Sequence, residues 1–173
     1  MTVSDLVAQF FKEKGLIHAF TVSGAGNIRL LDAISRLGYT ELICCHHEQA
    51  CAQAAIGYYR ASGRVSPCIV TCGGGASNVV TGIVDAWMDS IPLFVIAGQE
   101  AIRNEKLRAY GVQGLNLSAM VQDVTKFSLP ILFVCAHFNP TYMSLDGLWE
   151  EMLSGRPGPV LIEIPTDVQG QQC

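Results

Sequence analysis

The chain has 173 residues, of which half are hydrophobic and 15% are charged; it contains 17 glycines and its formal net charge is −4. A chain of this length can bury a core without disulfides or metals, and its composition excludes disordered, collagen-like and coiled-coil proteins. Its acidic balance argues against a nucleic-acid-binding or anionic-lipid-binding surface. We therefore expect one soluble domain over residues 1–173. The low charged fraction favours burial of part of its surface against a partner or another domain.

The sequence predicts a cytoplasmic chain. Residues 1–5 lack the basic start and apolar stretch of a signal peptide, and no apolar run is long enough to cross a bilayer. The seven cysteines lie mostly in apolar segments and form no C-x-x-C pair. Reduced, buried thiols fit this pattern better than a zinc site does.

Strand-like and helix-like segments alternate along the chain. The periodicity predicts a first helix capped by Ser4 or Asp5, and then strand 17–22, helix 27–37, strand 41–45, helix 49–61, strand 67–72, helix 76–88 and strand 92–97. After a polar loop at 100–114, it predicts helix 115–121, an uneven segment at 125–134 that Pro130 interrupts, helix 142–153 and strand 159–164. Short, wholly apolar strands between helices are typical of an α/β fold, a doubly wound parallel sheet with helices on both faces.

Glycine-rich or polar turns follow four of these strands, at 24–26, 46–48, 73–75 and 98–99. The carboxyl ends of parallel strands share one edge of the sheet, where ligands bind in open α/β folds. The 73–75 turn lacks the Gly-Lys-Ser/Thr of a P-loop, and Arg29 replaces the third glycine of a dinucleotide-binding motif. From the residues alone, the 73–75 turn is either a tight turn or an anion-binding loop.

Polar residues at these turns allow a structural and a functional interpretation. Glu48 opens a helix, where a carboxylate complements the helix dipole; alternatively it serves a site at the sheet edge. The histidines at 46–47 point apart on such a turn, so we predict no metal site there. Gln99 and Gln113 would ordinarily be surface glutamines.

Three blocks of sequence occur in a fixed order: Gly24-Ala25-Gly26, then His47-Glu48-Gln49-Ala50, then Thr71-Cys72-Gly73-Gly74-Gly75-Ala76-Ser77-Asn78. Together they resemble the N-terminal pyrimidine-binding domain of thiamine-diphosphate-dependent enzymes. The blocks at 81–92, 97–99, 125–126 and 155–160 narrow the resemblance to the acetolactate-synthase-like branch. The similarity extends from about residue 3 to residue 170.

The resemblance implies two catalytic residues. Glu48 matches the glutamate that hydrogen-bonds a ring nitrogen of the cofactor's aminopyrimidine, which favours the imino form that removes the thiazolium proton. Gln113 matches a glutamine near the reacting centre, whereas its neighbours Val112 and Gly114 stand where synthases commonly have Phe and Glu. The remaining expected cofactor-binding residues are Gly24, Ala25, Gly26, Gly73, Gly74, Gly75, Ser77 and Asn78.

The resemblance also implies an activity and its partners. Family members decarboxylate small 2-keto acids and ligate the product, using thiamine diphosphate in a site shared between subunits. This sequence has neither the Gly-Asp-Gly motif nor the Asn pair of the family's metal-binding half. We therefore expect the middle domain and the diphosphate- and magnesium-binding domain to be absent from residues 1–173. Magnesium would then come only from a partner domain, either in a homo-oligomer or in a chain that carries that domain.

Two alternatives remain open from the sequence. In the first, the chain is the pyrimidine-domain subunit of a split 2-keto acid decarboxylase. In the second, it is a non-catalytic interaction or regulatory module. The first predicts that a partner restores turnover, and the second predicts that none does.

Overall fold

The computed structural model describes residues 1–101, 113–130 and 144–172 and contains a six-stranded, all-parallel sheet between two layers of helices. The strands, in the order β2-β1-β3-β4-β6-β5 across the sheet, are β1 (His18–Thr21), β2 (Glu41–Cys44), β3 (Cys68–Val70), β4 (Phe94–Gln99), β5 (Phe127–Pro130) and β6 (Val160–Pro165). The helices are α1 (Val3–Glu13), α2 (Ile28–Leu37), α3 (Glu48–Ser62), α4 (Gly73–Ser77), α5 (Val80–Met88), α6 (Leu117–Met120), α7 (Leu145–Leu153) and α8 (Thr166–Gln169). The predicted fold class is confirmed.

The two helical layers bury separate apolar clusters because successive residues of a strand face opposite sides of the sheet. In β3, Ile69 packs into the cluster formed with α1, α2, α7 and α8. Its neighbours Cys68 and Val70 pack into the cluster formed with α3, α4, α5 and α6. Burial on both faces explains why this strand is an unbroken apolar run.

The winding of the sheet reverses at β1, which lies between β2 and β3. Thr21 is in register with Cys44 on one side and with Ile69 on the other, so the three strands end at one level. Ligands of doubly wound sheets bind outside the carboxyl ends of the strands at such a switch point. The turns that follow β1, β2 and β3 therefore meet where a site is expected.

The predicted caps of α1 are wrong, because Thr2 is the N-cap. Its Oγ1 accepts a hydrogen bond from Asp5 N at 3.2 Å, while Asp5 Oδ2 accepts one from Thr2 N at 2.8 Å, a reciprocal capping box. The hydrogen bonds with Thr2 and, to a smaller extent, the contact with Arg36 hold the pKa of Asp5 below its usual value. Ser4 is buried instead and donates its hydroxyl to Gln169 O at 3.0 Å.

The single helix predicted at 76–88 is two helices, α4 and α5. Gly73 begins α4 three residues early with a φ of +64°, a conformation that glycine adopts without strain. Asn78 N and Val79 N then donate to the carbonyls three residues before them, at 3.1 Å each. These tight, 3₁₀-type bonds interrupt the α-helical pattern and turn the chain at Asn78.

Pro130 is the last residue of β5, an edge strand that pairs with β6 from Phe127 to Pro130. Proline lacks the N–H of a strand ladder and is tolerated at a sheet edge. The remainder of the uneven segment, 131–134, lies outside the described residues, as do 102–112 of the predicted loop and the first two residues of the helix predicted at 142–153.

The cysteines agree in part with the expectation of buried thiols. Of the five in the described residues, all are free; Cys51, Cys68 and Cys72 are buried, Cys45 is half-buried and Cys44 is exposed. Among the helices of the described ranges, none has the length and apolar character needed to span a membrane.

Candidate functional site

The turns after β1 and β3 touch each other. Gly26 N donates a hydrogen bond to Thr71 Oγ1 at 3.3 Å. A Cβ at Gly24 would overlap the Thr71 side chain, and a Cβ at Gly26 would lie 2.8 Å from Cys72 Sγ. Both positions need glycine because the two turns pack too closely for a side chain. The structure thus brings Gly24 and Gly26 against the start of the 73–75 turn.

Asn27, which the sequence patterns did not single out, closes the first turn. Its Oδ1 accepts a hydrogen bond from Gly24 N at 2.9 Å, and its Nδ2 donates to Val22 O at 3.0 Å. From α8, Gln169 Nε2 donates to Gly26 O at 2.7 Å. An asparagine that follows a glycine turn and precedes a helix is the signal that would have found Asn27.

Glu48 is the first residue of α3 and is buried, with 7% of its surface exposed. Its Oε2 accepts a hydrogen bond from Asn78 Nδ2 at 3.0 Å. Within the described residues, no group donates a hydrogen bond to its Oε1. A Cβ at Gly75 would lie 2.9 Å from Oε1, so the glycine keeps this oxygen uncovered. The first turn of a helix is a favourable place for an acidic side chain.

The helix dipole alone does not account for this arrangement, because Asn78 reaches Glu48 from a different turn. A carboxylate with one oxygen held and the other open is suited to share a proton with a ring nitrogen of a bound heterocycle. The glycine at position 75 leaves the space beside that oxygen free of side-chain atoms. These residues fit the aminopyrimidine that the resemblance implies.

Three other residues that the resemblance implies as cofactor-binding, Ala25, Gly74 and Ser77, lie on the turns after β1 and β3 and form no hydrogen bond with Glu48 in the described structure. Ala25 and Gly74 are exposed, and no described atom lies within 4 Å of a Cβ built at Gly74. Ser77 Oγ donates to Gly74 O at 2.8 Å, so its hydroxyl is engaged within α4.

Gln113 contacts the other end of the 73–75 turn. Its Oε1 accepts a hydrogen bond from Cys72 Sγ at 3.1 Å. A Cβ at Gly73 would lie 2.6 Å from the Cβ of Gln113. Burial raises the pKa of the Cys72 thiol, which keeps it protonated as a donor at neutral pH. One short turn therefore contacts Gln113 through Gly73 and Glu48 through Gly75.

Two histidines and a glutamine that the sequence analysis considered lie outside the contacts around Glu48. His46 and His47 are exposed, and in the parts of the chain that the structure covers, no three His, Cys, Asp or Glu side chains are grouped as metal ligands. Gln99 is not a surface glutamine: it is buried, and its Nε2 donates to Glu163 Oε1 at 2.7 Å. The signal for Glu163 was an acidic residue within an otherwise apolar strand.

Comparison with known proteins identifies the family of this chain. Residues 1–120 match the family model described as the thiamine pyrophosphate enzyme, N-terminal TPP binding domain. The chain is 36% identical over 172 residues to the acetolactate synthase isozyme 2 large subunit of Escherichia coli, covering 98% of this chain and 30% of that protein. It is 32% identical to the acetolactate synthase large subunit of Haemophilus influenzae, with 95% of this chain and 28% of the relative covered.

Plant proteins show the same similarity. Acetolactate synthase 1 of rice, a chloroplastic protein, is 33% identical over 170 residues, which are 98% of this chain and 26% of the rice protein. The chain thus spans about 30% or less of the length of these relatives. It belongs to the family of N-terminal TPP-binding domains of thiamine pyrophosphate enzymes, and it is similar to acetolactate synthase large subunits.

Proposed function

We propose that residues 1–173 form a single domain that supplies the pyrimidine half of a thiamine-diphosphate site, in an acetolactate-synthase-like enzyme that decarboxylates and ligates small 2-keto acids. The observation that carries this proposal is the buried carboxylate of Glu48, with Oε2 held by Asn78 and Oε1 uncovered beside Gly75. The names of the relatives support the reaction class.

Thiamine diphosphate, when bound, supplies the electron sink for loss of CO₂ from a 2-keto acid. The task of Glu48 is to hold a proton between Oε1 and a ring nitrogen of the aminopyrimidine. Asn78 orients the carboxylate for this hydrogen bond, and burial keeps water from competing with it. Glu48 is therefore proposed as the catalytic residue of this half-site.

The turns around Glu48 are proposed to line the cofactor cleft. Their glycines allow the backbone to approach a flat ring closely, as the tight contacts of Gly24 and Gly26 with the neighbouring turn illustrate. The proposed lining residues are Gly24, Ala25, Gly26, Gly73, Gly74, Gly75, Ser77 and Asn78. Gln113, held by Cys72, is proposed to face the reacting centre.

The diphosphate and magnesium are proposed to be held by another part of the enzyme. The relatives extend well beyond the matched region, which leaves room for such a part. It would belong to a second copy in a homo-oligomer or to a partner chain that carries the diphosphate-binding domain, as in a split decarboxylase. A cytoplasmic location is part of the same proposal, and the free thiols are compatible with it.

A chimera tests the activity. The chain replaces the aligned segment of the Escherichia coli relative, and pyruvate consumption is measured with thiamine diphosphate and magnesium. We expect turnover, and Glu48→Gln should lower it by about 100-fold or more, since a positioned proton-transfer group contributes about 10²–10⁴. Glu150→Gln, at an exposed carboxylate on α7, is the matched control and should leave the rate unchanged. A folded chimera without turnover would favour the non-catalytic module.

A further inference from the structure

Glu163 is a buried acidic residue within the apolar strand β6, with 1% of its surface exposed. It lies in register with Ala97 of β4 and Pro130 of β5. A buried carboxylate costs free energy unless hydrogen bonds satisfy it, so its partners indicate what it stabilises.

Four donors surround the Glu163 carboxylate. Oε1 accepts hydrogen bonds from Gln99 Nε2 at 2.7 Å and from Leu117 N at 3.3 Å. Oε2 accepts from Ser118 N at 2.8 Å and from Ser118 Oγ at 2.5 Å. All four donors are neutral, and no lysine or arginine of the described ranges forms an ion pair with it. The carboxylate therefore fixes Gln99 and the first turn of α6.

Gln99 extends this network to the segment that carries Gln113. Its Nε2 also donates to Leu115 O at 2.5 Å, and its Oε1 accepts a hydrogen bond from Glu100 N at 2.9 Å. Glu100 Oε1 in turn accepts from Gln113 N at 3.4 Å. Leu115 is only two residues beyond Gln113, so the backbone has little freedom between the anchored carbonyl and the site.

We propose that Glu163 is a positioning residue for Gln113: through Gln99 and the start of α6, its carboxylate holds residues 113–118 so that Gln113 lies against Cys72. The consequence for turnover rests on the proposed function of Gln113. The effect on position does not, because it is a property of this chain without cofactor.

Cys72 reports this position directly. It is buried, and it donates its hydrogen bond to Gln113. A covered, protonated thiol is alkylated slowly, and displacement of Gln113 would expose it. Glu163→Gln would turn an N–H group toward donors that now meet a carboxylate oxygen. In iodoacetamide labelling read by peptide mass spectrometry, we expect Cys72 of this variant to react about tenfold faster or more.

The other buried cysteines separate local displacement from general destabilisation. Cys51 and Cys68 are fully buried away from the Glu163 network, and their labelling should stay slow. Gln99→Met, of similar length but without hydrogen-bonding atoms, should also accelerate Cys72 and carries the test if Glu163→Gln does not fold. Ser128→Ala is the control, since Ser128 Oγ donates to Ser118 O at 2.9 Å without touching Glu163.

Two results would overturn the inference: unchanged labelling of Cys72 in Glu163→Gln and Gln99→Met, or parallel acceleration of Cys51, Cys68 and Cys72. In the chimera, Gln113→Ala tests the functional role separately. Faster Cys72 labelling in the Glu163 variant, together with normal turnover of Gln113→Ala, would retain the positioning role and reject the catalytic role of Gln113. Slow Cys72 labelling in the Glu163 variant, together with impaired turnover of Gln113→Ala, would reject only the positioning role.

Discussion

Asn78 Nδ2 donates a hydrogen bond to Glu48 Oε2 at 3.0 Å and so joins the turn between α4 and α5 to the first turn of α3. The two residues are 30 positions apart in the sequence. Because one oxygen of Glu48 is engaged in this bond, the other is left facing Gly75. The direction of the proposed proton-sharing oxygen thus depends on a residue outside α3.

Asn78→Asp tests this contact by placing a second carboxylate beside Glu48. We expect a loss of about 1–2 kcal/mol in the free energy of unfolding at pH 7.5, because two adjacent carboxylates repel each other. Repulsion raises a carboxyl pKa in the folded state, so the loss relative to wild type shrinks as pH falls toward 5. Urea unfolding at both pH values measures the difference.

Asn116→Asp is the matched control for that substitution. Asn116 Oδ1 caps α6 by accepting from Ala119 N at 3.0 Å, a bond that aspartate makes equally well. It should therefore unfold at nearly the wild-type urea concentration. A loss for Asn78→Asp that is identical at both pH values would contradict the contact with Glu48.

Two adjacent glycines provide a sharp comparison at the site. A Cβ at Gly75 would lie 2.9 Å from Glu48 Oε1 and 2.8 Å from Thr71 Cγ2. Gly75→Ala should therefore lower the free energy of unfolding by about 1–3 kcal/mol. Gly74→Ala meets no described atom within 4 Å and should be neutral or stabilising by about 0.5–1 kcal/mol. Thermal unfolding of both variants measures this, and equal midpoints would count against the tight packing at Gly75.

The capping box of α1 predicts a pH-dependent stability. The hydrogen bonds from Thr2, and then Arg36, lower the folded-state pKa of Asp5, so its contribution is present above the unfolded pKa and is lost as pH falls through the lower folded value. Asp5→Asn should cost about 0.5–1 kcal/mol at pH 7 and almost nothing near pH 2. Asp32→Asn removes only an exposed pair with Arg36 at 3.5 Å and should change little at either pH. A constant cost of Asp5→Asn from pH 7 to pH 2 would contradict the role of its charge.

The fold and the position of the candidate site follow from local patterns. Short apolar runs predicted buried parallel strands, and the glycines after the first and third strands predicted turns at the carboxyl edge. Glu48 was identified because it lies in a turn after a strand and matches a family motif. Its burial and its contact with Asn78 depend on tertiary packing between the start of α3 and the turn between α4 and α5, which sequence spacing does not encode.

Gln99 and Ser4, whose positions the sequence patterns misjudged, bond to partners distant in sequence. Gln99 was expected at the surface, but its side chain is buried and its amide donates a hydrogen bond to Glu163, 64 residues away. Ser4 was expected to cap α1, but its hydroxyl bonds Gln169 across 165 residues, while Thr2 caps the helix. Hydrophobic periodicity reports which face is buried, and it carries no information about such polar pairs.

The most direct test of the central claim is saturation-transfer difference NMR with thiamine, which carries the aminopyrimidine without the diphosphate. The ligand is added at about millimolar concentration, where weak half-site binding is populated. Saturation should reach the pyrimidine protons in the wild-type chain and in the Glu150→Gln control, and it should be lost in Glu48→Gln. Equal transfer to the pyrimidine in Glu48→Gln, or no transfer in the wild type, would contradict the assignment of Glu48 to a pyrimidine site.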